Sequence, residues 1–257
     1  MQTIRSTDGV ELAIHDLGGD GSELLLAHAT GFCGPVWGPV AEELPFRSVA
    51  LDFRAHGRSS RPSSGNLDWS GMADDVLTTV DACGLSGCPA AGHSMGGAAL
   101  LLAEIARPGT FCGLWLFEPI VIPPTVAAAG GDGGNDLSEG ARRRRRSFPS
   151  RQAALDNFSS KPPMQSFADA ALEAYIDGGF EELEDGSVVL RCSPDDEAAT
   201  YEMGGQHPAY DHLGEVRCPV VVVGSADPYG PAMFARPVAE RLPHATFVHR
   251  ADMNHFG

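Results

Sequence analysis

The chain has 257 residues, 43% of them hydrophobic, which fits one domain with a sizeable core or a core carrying one inserted subdomain. Its formal net charge of -16 repels nucleic acids and anionic membranes at long range and disfavours steered encounter with anionic substrates, so a neutral small molecule is the expected partner. Cysteines at 33, 83, 88, 112, 192 and 218 form no Cys-x-x-Cys pair, the start has no basic segment followed by an apolar stretch, and no apolar run approaches the roughly 20 residues of a membrane span; a cytoplasmic protein with free thiols and neither metal nor other cofactor is expected.

Gln2 to Ser6 and Val10 to Leu17 read as two strands around an Asp8-Gly9 turn, an antiparallel start. Glu23 to Ala27 is a short apolar strand, Val36 to Leu44 a helix, and Ser48 to Phe53 another strand. Trp69 to Cys83 has helical spacing in Met72, Val76, Leu77 and Val80. It leads through Ala90-Ala91 to an apolar helix from Ala98 to Ala106 and a strand at Leu114 to Phe117. Strands and helices alternate, as in a mostly parallel sheet with helices on both faces.

The alternation breaks from Glu118 to about His212, where Pro123-Pro124, a Gly-rich stretch, Arg142 to Arg146 and helical patterns at Gln152 to Phe158 and Phe167 to Ile176 suggest an inserted helical cap. It resumes with a strand at Val220 to Gly224, a helix near Met233 to Leu242 and a strand at Thr246 to His249. A core of 1–118 and 213–257 with a cap at 119–212 is the expected organisation.

Gly92-His93-Ser94-Met95-Gly96 matches G-x-S-x-G, a sharp strand-to-helix turn that exposes a serine hydroxyl, and here it stands between a strand and an apolar helix. A serine hydroxyl needs a base within hydrogen-bond reach and an acid to hold that base's tautomer. Only His255 among nine histidines lies after the last strand, in Met253-Asn254-His255-Phe256-Gly257. Asp227, in the turn Gly224-Ser225-Ala226-Asp227-Pro228 after an apolar strand, is the preferred acid; Glu118, in Phe117-Glu118-Pro119, is the alternative. The oxyanion of a tetrahedral intermediate needs two backbone N–H donors. Met95, after the nucleophile, is one; Phe32, at the end of the small-residue loop His28-Ala29-Thr30-Gly31-Phe32, is the choice for the other.

Together these residues resemble the α/β-hydrolase superfamily. His28 to Phe32 is similar to its His-Gly-type oxyanion loop, and Asp52-Phe53-Arg54-Ala55-His56-Gly57-Arg58-Ser59 to its strand-4 signature; the similarity spans the chain outside the cap. The resemblance implies triad roles for Ser94, Asp227 and His255, and an activity among esterases, lipases, thioesterases, lactonases, carbon-carbon hydrolases and cofactor-free haloperoxidases. Dehalogenases and epoxide hydrolases resemble the chain less, since they place an aspartate where Ser94 stands. Ala29-Thr30 stands before Gly31 in the oxyanion loop, a departure from the family pattern. A second departure is that the sequence stops two residues after His255, so that the base is expected in a loosely held loop.

The leading reading is a serine hydrolase of a small to medium neutral ester or related acyl bond. A same-triad lactonase, carbon-carbon hydrolase or haloperoxidase is the alternative, as is a ligand-binding member without turnover. Cys33, Trp37, Ile120 and Phe167 are candidate pocket residues beside Phe32 and Met95, with core packing as their default role. Arg142 to Arg146 is read as a solvated cap segment paired with acidic neighbours such as Asp132, Asp136 and Glu139, not as a nucleic-acid patch. His207 and His212 lack a third ligand at metal-type spacing.

Overall fold

The computed structural model describes residues 1–124, 136–227 and 230–256. The first strands, β1 (Gln2–Arg5) and β2 (Glu11–Gly18), pair antiparallel, and Asp8 and Gly9 take the positive φ values of 55° and 71° that let the chain reverse between them. Next come β3 (Ser22–Ala27), a one-turn helix into α1 (Gly38–Glu42), β4 (Phe46–Leu51), α2 (Trp69–Cys83), β5 (Pro89–His93), α3 (Met95–Ala106) and β6 (Gly113–Phe117). Helix α2 starts where Asp68 accepts the Gly71 N–H at 2.9 Å and stops at Gly84, whose φ of 70° is a left-handed cap.

The sheet has eight strands in the order β1-β2-β4-β3-β5-β6, followed by β10 (Val220–Ser225) and β11 (Ala245–Arg250). From β4 to β11 all neighbours are parallel; β1 and β2 form an antiparallel edge. Alternate residues of each strand face opposite sides. Leu25, Ala27, Val49 and Leu51 enter the main core with α2, α3 and the later α9 (Ala232–Arg241), while Leu24, Leu26 and Ala50 pack on the other face with Ala41 of α1.

Between β6 and β10 the described residues form α4 (Asp136–Arg142), α5 (Arg151–Ser159), α6 (Asp169–Gly179), α7 (Pro194–Met203) and α8 (Ala209–His212). They also form a small antiparallel sheet of β7 (Ser147–Phe148), β8 (Phe180–Glu182) and β9 (Val188–Leu190). These strands of two or three residues are too short to carry an alternating pattern, so a purely helical reading of the segment missed them. Phe148, Ala154, Leu172, Tyr175, Ile176, Phe180, Val188 and Leu190 give the segment a hydrophobic cluster of its own. Ala209 belongs instead to the main core. Asp132, an expected partner of the arginine run, lies outside the described residues. No described helix is long and apolar enough to cross a membrane.

Candidate active site

Ser94 occupies the turn between β5 and α3 with φ 55° and ψ -115°, a conformation a non-glycine residue adopts only when its surroundings enforce it. Its neighbours show how. A Cβ at Gly92 would lie 2.7 Å from the Gly97 nitrogen, and one at Gly96 would lie 2.2 Å from the Ala27 carbonyl oxygen, so the turn closes only with glycine at both places. The Ser94 N–H donates to Phe117 O at 3.0 Å and its carbonyl accepts the Ile120 N–H at 3.2 Å, tying the turn to the end of β6. The residue is 7% exposed.

His255 is not loosely held. Its Nδ1 donates to Glu118 Oε2 at 2.5 Å, its ring packs at a tilt of 54° against His93 with centroids 4.7 Å apart, and Phe256 beside it packs near Phe32 and Phe167. Side-chain packing and a charge-assisted hydrogen bond hold the ring in place.

Glu118 is fully buried and leaves β6 with φ 46°; its N–H donates to Val223 O at 2.9 Å. Its Oε1 accepts the Ser225 N–H at 2.6 Å. Burial alone would raise this carboxyl, but hydrogen bonds from His255 and Ser225 outweigh it and hold the carboxyl below its ordinary range. Asp227, the acid preferred from sequence, is placed differently. It lies exposed two residues past β10, its N–H donates to Ser225 Oγ at 3.3 Å, and it borders a separate cavity of about 280 Å³ with Met233, Arg236, Phe247 and His249. Glu118 takes the last amide of β10, at Ser225, and the imidazole Nδ1 meets the other oxygen of the same carboxylate.

The loop expected to bind an oxyanion is pinned from below. His28 Nδ1 donates to Ala29 O at 2.7 Å and Nε2 accepts the Phe53 N–H at 3.0 Å, which fixes a neutral ring that burial holds down to about 3. Asp52 accepts the N–H groups of Gly34 and Arg58 at 2.6 and 2.8 Å. The Phe32 amide, however, donates to Ala29 O at 3.1 Å and closes a turn around Gly31, whose φ is 79°. It is engaged within the loop, whereas the Thr30 and Gly31 amides have no acceptor among the described residues. Met95 opens α3, where helix amides lack intrahelical acceptors.

The pocket candidates separate. Phe167 stacks on Phe32 at 5.8 Å, and Ile120 is bonded to Ser94, so both stand by the site. Cys33 is fully buried under Gly178 of α6, and burial pushes its thiol well above the ordinary range, so it is packing rather than a nucleophile. Trp37 packs against the cluster on the face opposite the main core. No cluster of ligands that could hold a metal forms around His207 or His212 among the described residues: His207 Nε2 meets Ile120 O at 2.9 Å and its ring stacks on Trp69, while His212 pairs with Glu215.

The sequence model of the alpha/beta hydrolase family matches residues 24–257. The chain belongs to that family. A putative carbamate hydrolase, RutD, from Caulobacter sp. (strain K31) is 28% identical over 252 residues, covering 94% of this chain and 87% of the relative. Crystal structures of E-2-(acetamidomethylene)succinate hydrolase and of the esterase EaEST from Exiguobacterium antarcticum superpose with TM-scores of 0.79 and 0.75 at 18% and 17% identity. They cover 99% and 98% of this chain and 92% and 91% of theirs. These structures share the α/β-hydrolase fold, and the family match makes the chain an enzyme of α/β-hydrolase type. In this α/β hydrolase the acid on the histidine comes from the strand after the serine's helix. The motif Phe117-Glu118-Pro119 at a strand's carboxyl end was the legible signal for it.

Proposed function

We propose that this α/β hydrolase cleaves a small to medium neutral carboxylic ester or related acyl bond through an acyl-enzyme on Ser94, with His255 as base and Glu118 as the acid that orients it. The observation that carries the reading is the Glu118–His255 hydrogen bond beside the strained turn of Ser94. With Nδ1–H directed at a carboxylate, the ring presents Nε2 as the lone pair that can take the Ser94 proton. Attack of Oγ on the acyl carbon gives a tetrahedral oxyanion, for which the Met95 amide and an amide of the Thr30-Gly31 turn are the proposed donors. Collapse expels the alcohol with the proton held on His255, and a water molecule then repeats the sequence to release the acid and Ser94. The relative named a carbamate hydrolase makes a carbamoyl group a reasonable member of the same substrate class.

A fluorophosphonate tests the assignment: it should modify Ser94 alone and abolish hydrolysis of a short-chain chromogenic ester, and Ser94→Ala should lower kcat by about a millionfold. Modification at another serine, or an unlabelled protein without turnover, would remove the proposal.

A further inference from the structure

Three side chains that this reaction does not use meet against the turn before Phe32. Arg144, the third of five consecutive arginines, forms an ion pair with Glu197 of α7 and donates through Nη2 to Tyr175 Oη at 2.5 Å. Glu197 is 6% exposed and Arg144 21% by side chain. Other members of the run lie elsewhere: Arg142 pairs with Glu202 and Arg143 with Glu139 at the surface, and Arg145 lies over the Phe148 ring. Arg144 points inward.

Gly31 fixes where the pair sits. A Cβ on Gly31 would lie 2.6 Å from Glu197 Oε1 and 3.3 Å from Arg144 Nη1, so the carboxylate abuts the loop proposed to receive the oxyanion. A carboxylate alone at that place would oppose the negative charge that develops in the transition state, and in a site shut off from water little would screen it. The neighbouring Asp196 is already matched by Arg61 at 2.7 Å. Tyr175 offers a dipole and no charge, since burial pushes its hydroxyl up to about 12. The guanidinium is therefore the group that balances Glu197.

We propose that Arg144 is an electrostatic positioning residue for acyl transfer: it cancels the charge of Glu197 beside the oxyanion loop and holds that carboxylate against Gly31. The inference rests on the reading of Ser94 as nucleophile. It predicts effects of unequal size for the two partners, whereas a brace that only held the segments together would lose the same activity whichever partner were removed.

The experiment measures kcat and KM on one chromogenic ester for the wild type, Arg144→Gln, Glu197→Gln and the double variant. Arg144→Gln should lower kcat about 10- to 100-fold with KM little changed, because it leaves a lone carboxylate by the oxyanion. Glu197→Gln should stay within about threefold of wild type or exceed it, and the double variant should recover most of the loss. Equal losses in both single variants without recovery, or an unaffected Arg144→Gln, would overturn the proposal. Should Arg144→Gln not fold, Arg144→Lys keeps the charge and should stay within about fivefold of wild-type kcat; a loss of 10-fold or more there overturns it. Fluorophosphonate labelling of wild-type Ser94 separates the two readings. An active, labelled wild type with an insensitive Arg144 refutes this inference alone, and a wild type without labelling or turnover refutes both.

Discussion

His255 Nδ1 and Glu118 Oε2 meet at 2.5 Å across 137 positions of sequence, joining the segment after the last strand to the end of the strand that follows the serine's helix. The same carboxylate takes the last amide of β10, at Ser225, so one buried side chain ties β6, β10 and the terminal loop together. That relationship is what supports Glu118 as the acid of the proposed mechanism.

Glu118→Gln should therefore lower kcat by about 10⁴ by removing the acceptor that fixes the imidazole tautomer, while the protein still folds. Asp227→Asn should change kcat by less than about tenfold, since Asp227 stands at an exposed turn. Steady-state kinetics on both variants, with circular dichroism to check folding, would reverse the assignment if the larger loss fell on Asp227.

The glycines around Ser94 are a steric requirement. Gly96→Ala would place a methyl 2.2 Å from the Ala27 carbonyl oxygen, a backbone atom of the central sheet, and should cost about 3 kcal/mol, lowering Tm by on the order of 10 °C. Gly140→Ala in α4, where no atom lies within 4 Å, should be neutral or stabilising by up to about 1 kcal/mol. Thermal melts of the pair test this, and equal Tm values would show the contact to be relieved cheaply.

Acid should destabilise the protein well before its carboxylates titrate. Burial lowers the His28, His56, His93 and His207 rings from the ordinary 6.5, His28 to about 3, so the unfolded chain binds protons that the folded chain refuses. Stability then falls as pH drops below about 6.5, and the fall continues below 4.5 as the unfolded chain protonates a carboxyl that the folded state keeps ionised at Glu118. Urea unfolding midpoints measured from pH 8 to 5 should decrease; a midpoint constant down to pH 5 would contradict the neutral buried rings.

The arginine run should not bind nucleic acid. Arg142, Arg143 and Arg144 are paired with Glu202, Glu139 and Glu197, and the chain carries a net charge of -16. Fluorescence anisotropy with labelled duplex DNA should give no binding at physiological salt; micromolar affinity that disappears when Arg142, Arg143 and Arg145 are replaced would refute this.

Much of the molecule is written in local sequence. Period and punctuation mark the helix Trp69–Cys83 and the strand Val220–Ser225 to within a residue, because their apolar spacing and bounding residues act over a few positions. The pattern Gly92-His93-Ser94-Met95-Gly96 marks Ser94 because the turn's sterics demand those glycines, and His255 follows from its place after the last strand. What only tertiary structure decides is which groups meet. Both Glu118 and Asp227 leave strand ends, and that Glu118 meets His255 goes with a positive φ at Glu118 and with the Ser225 amide at the end of β10 bonding its other oxygen. The closed turn that engages the Phe32 amide, and the inward course of Arg144 within a run of five identical side chains, have no local signature. Hydrogen bonds and ion pairs between residues far apart in sequence depend on the packed positions of whole elements, and residue spacing does not encode those positions.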